Sequence, residues 1–439
     1  MSTPNPPREE PGSGLPLIHL SELLRAPLSA RSGDVVGRVD DVIVRLRGER
    51  EYPLVTGIVA RIGGRRIFVG SGSIETYAPG KIVLAKNTVD LRGFERRDPE
   101  VLLRADVLGH RLIDVAAVEL VRAYDLELED TGQGWILARV DTRRPARLFG
   151  LIRGSGGHAA RDWKAFEPLI GDARTQALRK FSGRMGSLKP AELADLIEEA
   201  DSDEGGEILD RVRIDPELEA DVFEELDPDK ASRLLNEMPD DQVAALLGRM
   251  RADDAADAIF DLRQPRRRQV LDLMPAPQRA KVTTLLGFNP ASAGGLMNVD
   301  TVSCLTTATA GDALALIGGA HHIQPEALLK VHVLDREKRL VGVVSVIALV
   351  QASPGESVVA LMDPDPVRIT ADADLTDIAL LAADYNLYSI PVVDNQDRVL
   401  GVVTVDDVLE ATIPEDWRRR EPHLARGRAM RPRNSASTP

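Results

Sequence analysis

Leu340-Val-Gly-Val-Val-Ser-Val346 and Val399-Leu-Gly-Val-Val-Thr-Val405 are one phrase written twice, and the rest of the chain can be read outward from them. A second echo lies upstream of each: Leu296-Met-Asn-Val-Asp-Thr-Val302 parallels Leu361-Met-Asp-Pro-Asp-Pro-Val367. The offset is 65 residues at the first echo and 59 at the glycines, so the first copy carries six extra residues between them. Short β-branched runs alternating with apolar residues at helical spacing give each copy the order strand, helix, strand, strand, helix.

N-terminal to this pair, from about Leu188 to Gly287, the period is helical. Proline or aspartate recurs roughly every twelve residues, at Asp215-Pro216, Asp227-Pro228, Pro239-Asp240, Asp253, Pro265 and Pro275. Proline suits a first helical turn, where its missing N–H has no intrahelical partner anyway. Aspartate there caps free N–H groups and complements the helix dipole. Apolar residues between the markers keep the same period: Val222, Phe223 and Leu226, then Leu234, Leu235 and Met238, then Val243, Leu246 and Leu247. Short helices of this kind cannot bury their faces alone, so they are expected to stack into a superhelix. From Pro190 to Leu262 there are 24 acidic and 6 basic residues, a balance of −18. The whole chain is at −14, so everything outside that window sums to +4. Such a segment is either a solvated helical surface or a reservoir for cations.

From Leu15 to about Arg153 the period is two. Val35 to Leu46 reads as a strand, and Thr56–Ile62 and Arg66–Val69 flank Gly63-Gly64, a hairpin signal. Tyr124–Glu129 meets Trp135–Val140 across Thr131-Gly-Gln-Gly134. Glycine-separated short strands predict a small antiparallel barrel. The Gly37-Arg-Val-Asp-Asp-Val42 strand after Ser32-Gly-Asp34 resembles the PRC-barrel, with a second, shorter copy beginning at Asp106-Val-Leu-Gly109.

Composition bounds the rest. At 439 residues and 43% apolar the chain exceeds one ordinary core and predicts several domains. No stretch supplies the ~20 apolar residues a spanning helix needs; the longest charge-free run, between Arg339 and Glu356, ends in Gln351-Ala-Ser-Pro-Gly355. Met1 to Gly14 has no apolar signal region, and the single cysteine, Cys304, fits a reducing cytoplasm. The seven histidines show no ligand spacing and read as surface residues. Gly150–Gly157 and Gly80-Lys81 lack the Lys-Ser/Thr close of a phosphate loop, and no nucleophile motif is present, so no enzyme is expected. The acidic balance argues against a nucleic-acid coat, and the barrel region lacks interleaved aromatic and basic strands. Arg418-Arg-Arg420 through Arg433 forms a basic tail, either disordered or a contact for anionic headgroups or an acidic partner.

The repeated pair is identified as tandem CBS domains, which normally fold as one pseudo-symmetric unit because each copy leaves a sheet face open for the other. The order acidic helices, Asn289-Pro-Ala-Ser-Ala-Gly-Gly-Leu-Met297, CBS pair resembles the cytosolic half of MgtE-type magnesium transporters over about Leu169 to Pro414, with Asp253-Asp-Ala-Ala-Asp257 and the Ala-Gly-Gly-Leu-Met junction as the specific parts. The transmembrane pore that follows in that family is not seen here. The resemblance implies a multidomain α+β chain. Its expected parts are a disordered 1–14; a PRC-barrel-like β domain at 15–95 and a partial second unit at 96–152; a linker at 153–168; an acidic superhelical domain at 169–287; a junction and first CBS copy at 288–352; a second copy at 353–414; and a basic disordered tail at 415–439.

It also implies function. In the family, acids of the helical domain and of the CBS pair face one another and Mg2+ bridges them. Carried over by motif, Asp253 and Asp257 are the helical-domain acids, four apart and so on one helix face. Asp407 and Glu410, after Thr404-Val-Asp406, and Asp374 are the CBS-side acids. Asn386 stands where the family can carry an acid. Asp253 is equally placed to cap its helix, and Asp257, among alanines, has no such role. CBS clefts can also hold adenine nucleotides through Ser/Thr-x-x-Asp, which the second copy keeps as Thr404 and Asp407 and the first loses as Ser345-Val-Ile-Ala348. The expectation is a cytoplasmic, magnesium-responsive regulator, homodimeric through the CBS pair. Its barrel or arginine tail would contact a transporter or membrane surface. The rival readings are a nucleotide-sensing CBS scaffold and an accessory subunit of a separate magnesium channel.

Overall fold

The computed structural model describes residues 16–46, 51–90, 93–97, 100–143, 160–169, 185–321 and 323–413. The N-terminal segment 1–14, the Gly150–Gly157 stretch and the basic tail 415–439 lie outside them. The chain forms two compact units, residues 1–227 and 228–439.

In the first unit the strands are β1 (Leu17–His19), β2 (Pro27–Ser29), β3 (Val35–Arg45), β4 (Leu54–Ile62), β5 (Arg65–Gly70), β6 (Ile74–Ala78) and β7 (Lys81–Leu84). They continue with β8 (Glu100–Leu102), β9 (Arg111–Asp114), β10 (Glu119–Arg122), β11 (Asp125–Asp130), β12 (Trp135–Asp141), β13 (Arg161–Asp162) and β14 (Phe166–Pro168). Eleven of them form one sheet: eight lie along the path β1-β11-β12-β4-β3-β2-β7-β6, and β13, β5 and β8 pair off it with β12, β4 and β3. Strands from either side of residue 95 therefore share that sheet: β12 pairs with β4, and β11 with β1. Pairing is antiparallel except where β2 runs parallel to β7. Within the stretch read from sequence as the end of a linker, Arg161–Asp162 and Phe166–Pro168 are strands, pairing with β12 and β9, with a 3-10 turn, Trp163–Ala165, between them. Two bulges in β3 against β4 bend the sheet. Gly63 and Gly64 take φ of +54° and +81°, the left-handed conformation a two-residue hairpin requires. The inner face is filled by Val42, Val44, Ile58, Leu126, Leu137 and Val140. On the outer face Ile43, Val59 and Leu102 make a satellite cluster under Phe68 and Phe94.

After the short helix α1 (Leu20–Leu23), the helices of this unit are α2 (Pro190–Glu199), α3 (Ser202–Val212) and α4 (Pro216–Glu225). Proline opens α2 and α4, and Asp201 and Asp215 cap α3 and α4; Asp215-Pro216 is the start expected from the sequence. Part of the acidic charge is answered by arginine. Arg111 on β9 reaches Glu199 at 2.7 Å and Glu204 at 3.0 Å, and Arg211 reaches the buried Glu167 at 2.8 Å.

The second unit begins with α5 (Pro228–Glu237), α6 (Asp240–Leu247), α7 (Ala252–Asp261), α8 (Gln264–Leu273) and α9 (Ala276–Leu285). Packing runs between next-but-one neighbours, α5 on α7, α6 on α8 and α7 on α9, the ladder of a superhelix. The one-turn helix α10 (Ala293–Leu296) then leads into the repeated pair. The first copy comprises β15 (Ser303–Leu305), α11 (Ala310–Gly319), α12 (Pro325–Leu328), β16 (Lys330–Leu334), β17 (Leu340–Ser345) and α13 (Val346–Gln351). After α14 (Val358–Leu361), the second comprises β18 (Ile369–Thr370), α15 (Leu375–Asp384), β19 (Ser389–Val393), β20 (Val399–Thr404) and α16 (Val405–Thr412). Both sheets have the same order and the same mix of one parallel and one antiparallel pair. The six extra residues of the first copy fall between its helix and its second strand, where α12 is inserted.

The two echoes meet crosswise. The backbone of Asn298, from the first echo, pairs with Val402 on β20, and Asp363, from the second, pairs with Val343 on β17. Each copy's entry segment thus closes the other copy's sheet. The shared glycines make room for this. A Cβ on Gly401 would stand 2.6 Å from Asn298 O and 2.9 Å from Met297 Sδ, and one on Gly342 2.7 Å from Asp363 O and 2.6 Å from Met362 Sδ.

The histidine reading needs one correction. His332 on β16 is buried, with Nδ1 3.2 Å from Val302 O. Desolvation pushes its pKa down to about 4, so it is a neutral core residue. Its β-strand neighbours Val331 and Val333 are buried too, so both faces of this strand are covered and the period-two signal disappears.

Candidate functional site

Helix α7 carries Asp253 and Asp257 one turn apart. Arg251 precedes the helix, so Asp253 is not its cap but a residue of its first turn, where the dipole favours an anion. Asp253 is only 7% exposed, and its Oδ1 has no hydrogen-bond partner. A buried carboxylate oxygen left this way carries an uncompensated desolvation cost. Burial first of all holds the Asp253 pKa above the ordinary carboxylate range, with Asp300 adding to it and Arg251 opposing. Arg251 itself pairs with Asp254 at 2.6 Å.

The opposing acids come from α16. Thr404 stands just before it, fully buried, and its hydroxyl donates to Asp407 Oδ2 at 2.5 Å; Thr404 N–H donates to the same oxygen at 3.3 Å. This is a capping box, which fixes the Asp407 side chain at the helix start. Glu410 follows three residues later on the same face. Asp407 is pushed up to about 7 by burial, then by the charge of Asp253, with Asp406 adding and Thr404 and Arg251 opposing. Asp257 is pushed up to about 6 by burial, then by Asp253, Asp261 and Glu410. Asp257 also keeps part of its surface exposed. Four of the five expected metal residues are therefore brought within electrostatic reach of one another, from two helices 150 residues apart in sequence.

The fifth is elsewhere. Asp374 caps α15, accepting from Asp377 N–H at 3.0 Å, and its backbone pairs with Ser292. Asn386 follows α15 with φ +51°, a left-handed position at a helix end that an amide side chain tolerates. Sequence reading missed two participants. Asp300, in the first echo, reaches Asp253 electrostatically and is paired with Lys281 of α9 at 2.6 Å. The only sequence signal was that Asp300 recurs as Asp365 in the second echo, where the side chain is 92% exposed.

Among the described residues no three His, Cys, Asp or Glu side chains are gathered tightly enough to ligate one ion directly. The donor set, hard oxygens spread over two helices, fits a cation that keeps several of its waters, as Mg2+ does. The unpartnered buried oxygen of Asp253 fits the same group. Thr404 and Asp407 present the hydroxyl and carboxylate pattern of a ribose contact, but here they bond each other.

A family profile for the MgtE intracellular N domain matches residues 188–291, and one for the CBS domain matches residues 358–413. The crystal structure of the cytosolic domain of the Mg2+ channel MgtE in complex with ATP is 30% identical with a TM-score of 0.50, covering 54% of this chain and 94% of that one. This part of the chain belongs to the MgtE family. The magnesium transporter MgtE of Thermus thermophilus is 36% identical over 152 residues, 34% of each chain. That of Enterococcus faecalis is 27% identical over 133 residues, 30% of this chain and 29% of its own. The chain thus spans about a third of the length of the curated MgtE relatives it matches. The soluble part of a magnesium transporter, 24% identical with a TM-score of 0.50, shares the fold. No helix among the described residues is long and apolar enough to cross a membrane.

Proposed function

We propose that the chain is a non-catalytic, magnesium-responsive regulator inside the cell, built like the cytosolic gate of MgtE. The observation that carries this is Asp253, buried with an unpartnered oxygen and facing the α16 acids Asp407 and Glu410 alongside Asp257. Apposed carboxylates repel, and each raises the others' proton affinity. A bound divalent ion would supply two positive charges there, ligated directly by at most two of Asp253, Asp257, Asp407 and Glu410 and held by the others through its own waters. At low magnesium the acidic helices move off α16; at high magnesium they dock. The ion shifts this equilibrium only through its higher affinity for the docked arrangement. Calorimetric titration of the full chain with MgCl2 tests the reading: Asp253→Asn should weaken binding at least tenfold, and an unchanged constant would remove it.

A second reading keeps support from the ATP complex of the MgtE cytosolic domain: an adenine nucleotide held at Thr404 and Asp407. Its mark is ATP binding that Thr404→Ala abolishes while magnesium has no effect on the chain. A homodimer through the CBS pair is supported by exposed apolar residues on its helices, notably Leu316, Ile347, Val350, Leu380 and Leu409. The barrel and the basic tail would relay the state to a transporter or an anionic membrane surface.

A further inference from the structure

Asp300 at the junction already holds a cation. Lys281 Nζ donates to both of its carboxylate oxygens, at 2.7 and 2.6 Å, across the turn that joins α9 to the first CBS copy. Both side chains are partly exposed, at 33% and 24%. The negative charge of Asp300 also reaches Asp253, the buried carboxylate whose Oδ1 has no partner. An ammonium is a compact, strongly hydrated point charge with three donors. It competes for the same hard oxygens as a divalent ion, and it is present at fixed, intramolecular concentration.

We propose that Lys281 is a built-in rival to divalent metal at the acidic junction: its ammonium occupies Asp300 and thereby sets how much magnesium is needed to close the site. The proposal rests on the magnesium reading above. Removing the lysine charge frees a carboxylate whose charge reaches Asp253 and takes one positive charge out of the neighbourhood. Both changes favour a divalent ion. Removing Asp300 alone leaves the Lys281 ammonium without its counter-charge, which disfavours a divalent ion.

The test is calorimetric titration of the full chain with MgCl2, with Mn2+ paramagnetic resonance as a second readout. Lys281→Met should tighten binding about three- to tenfold, the effect of about one unit charge at partly screened distance. Asp300→Asn, which leaves the ammonium unneutralised, should weaken it by about the same factor, and the double variant, with the pair's net charge restored to zero, should bind about as the wild type does. Lys281→Arg, which keeps the charge, should bind like the wild type. Should Lys281→Met lose its native circular dichroism, Lys281→Gln carries the same expectation. Unchanged or weaker binding in Lys281→Met or Lys281→Gln overturns the proposal. If Asp253→Asn weakens binding while Lys281→Met stays at the wild-type constant, only the Lys281 proposal falls. If Asp253→Asn has no effect either, the junction reading falls and the proposal with it.

Discussion

Asp257 and Asp407 make a prediction about pH. Both have folded-state pKa values raised above the ordinary carboxylate value, to about 6 and about 7. Between that ordinary value and those values the folded chain binds more protons than the unfolded one, so stability falls as pH rises. Their contribution is complete below about pH 4 and is lost through pH 6 to 7. In the presence of a chelator the urea midpoint of the second unit should therefore drop from pH 5 to pH 8, and Asp407→Asn should flatten that slope. A slope identical in wild type and variant would contradict the assignment. Much of this site was legible in the sequence, because Asp253/Asp257 and Asp407/Glu410 lie at helical spacings inside recognisable motifs. The Lys281–Asp300 pair was not. It joins residues with no shared local period, and only the tertiary crossing of α9 and the entry segment brings them together. Asp374 sits at a helix start, where an acid has a capping use that needs no metal.

Among the elements, the repeated glycines explain why the two copies interlock. Gly401→Ala should destabilise by about 1–3 kcal/mol, because its Cβ would press on the Asn298 carbonyl, which is backbone and cannot step aside. Gly342→Ala should cost a similar amount against Asp363 O. Gly318→Ala, within α11 and with open space around it, should be neutral or stabilising by about 0.5–1 kcal/mol. Urea unfolding of the three variants checks this, and equal midpoints for Gly401→Ala and Gly318→Ala would contradict the interlock. The strand, helix, strand, strand, helix order was readable because the repeat supplies two samples of one pattern. The crosswise closure was not, since the sequence shows that the echoes recur and not which sheet each one joins. Strands β13 and β14, of two and three residues, are too short to carry a period at all.

For the whole molecule, the exposed apolar residues of the CBS helices predict association. Ile347, 66% exposed, and Val350, 68% exposed, sit on α13. Ile347→Glu with Val350→Glu should yield a monomer by light scattering; a native chain already monomeric at high micromolar concentration would contradict the dimer. The charge segregation, −18 within residues 190–262 against +4 elsewhere, was visible from the sequence, but which of those acids are paired with arginine was not. Arg111 and Arg211 answer several of those acids in the first unit, whereas Asp253 and Asp257 on α7 of the second feel the charges of other carboxylates. The most direct measurement is small-angle scattering of the full chain with chelator and then with millimolar MgCl2, on wild type and on Asp253→Asn/Asp257→Asn. The account predicts a smaller radius of gyration with magnesium for the wild type and no change for the variant. Superimposable wild-type profiles would contradict it.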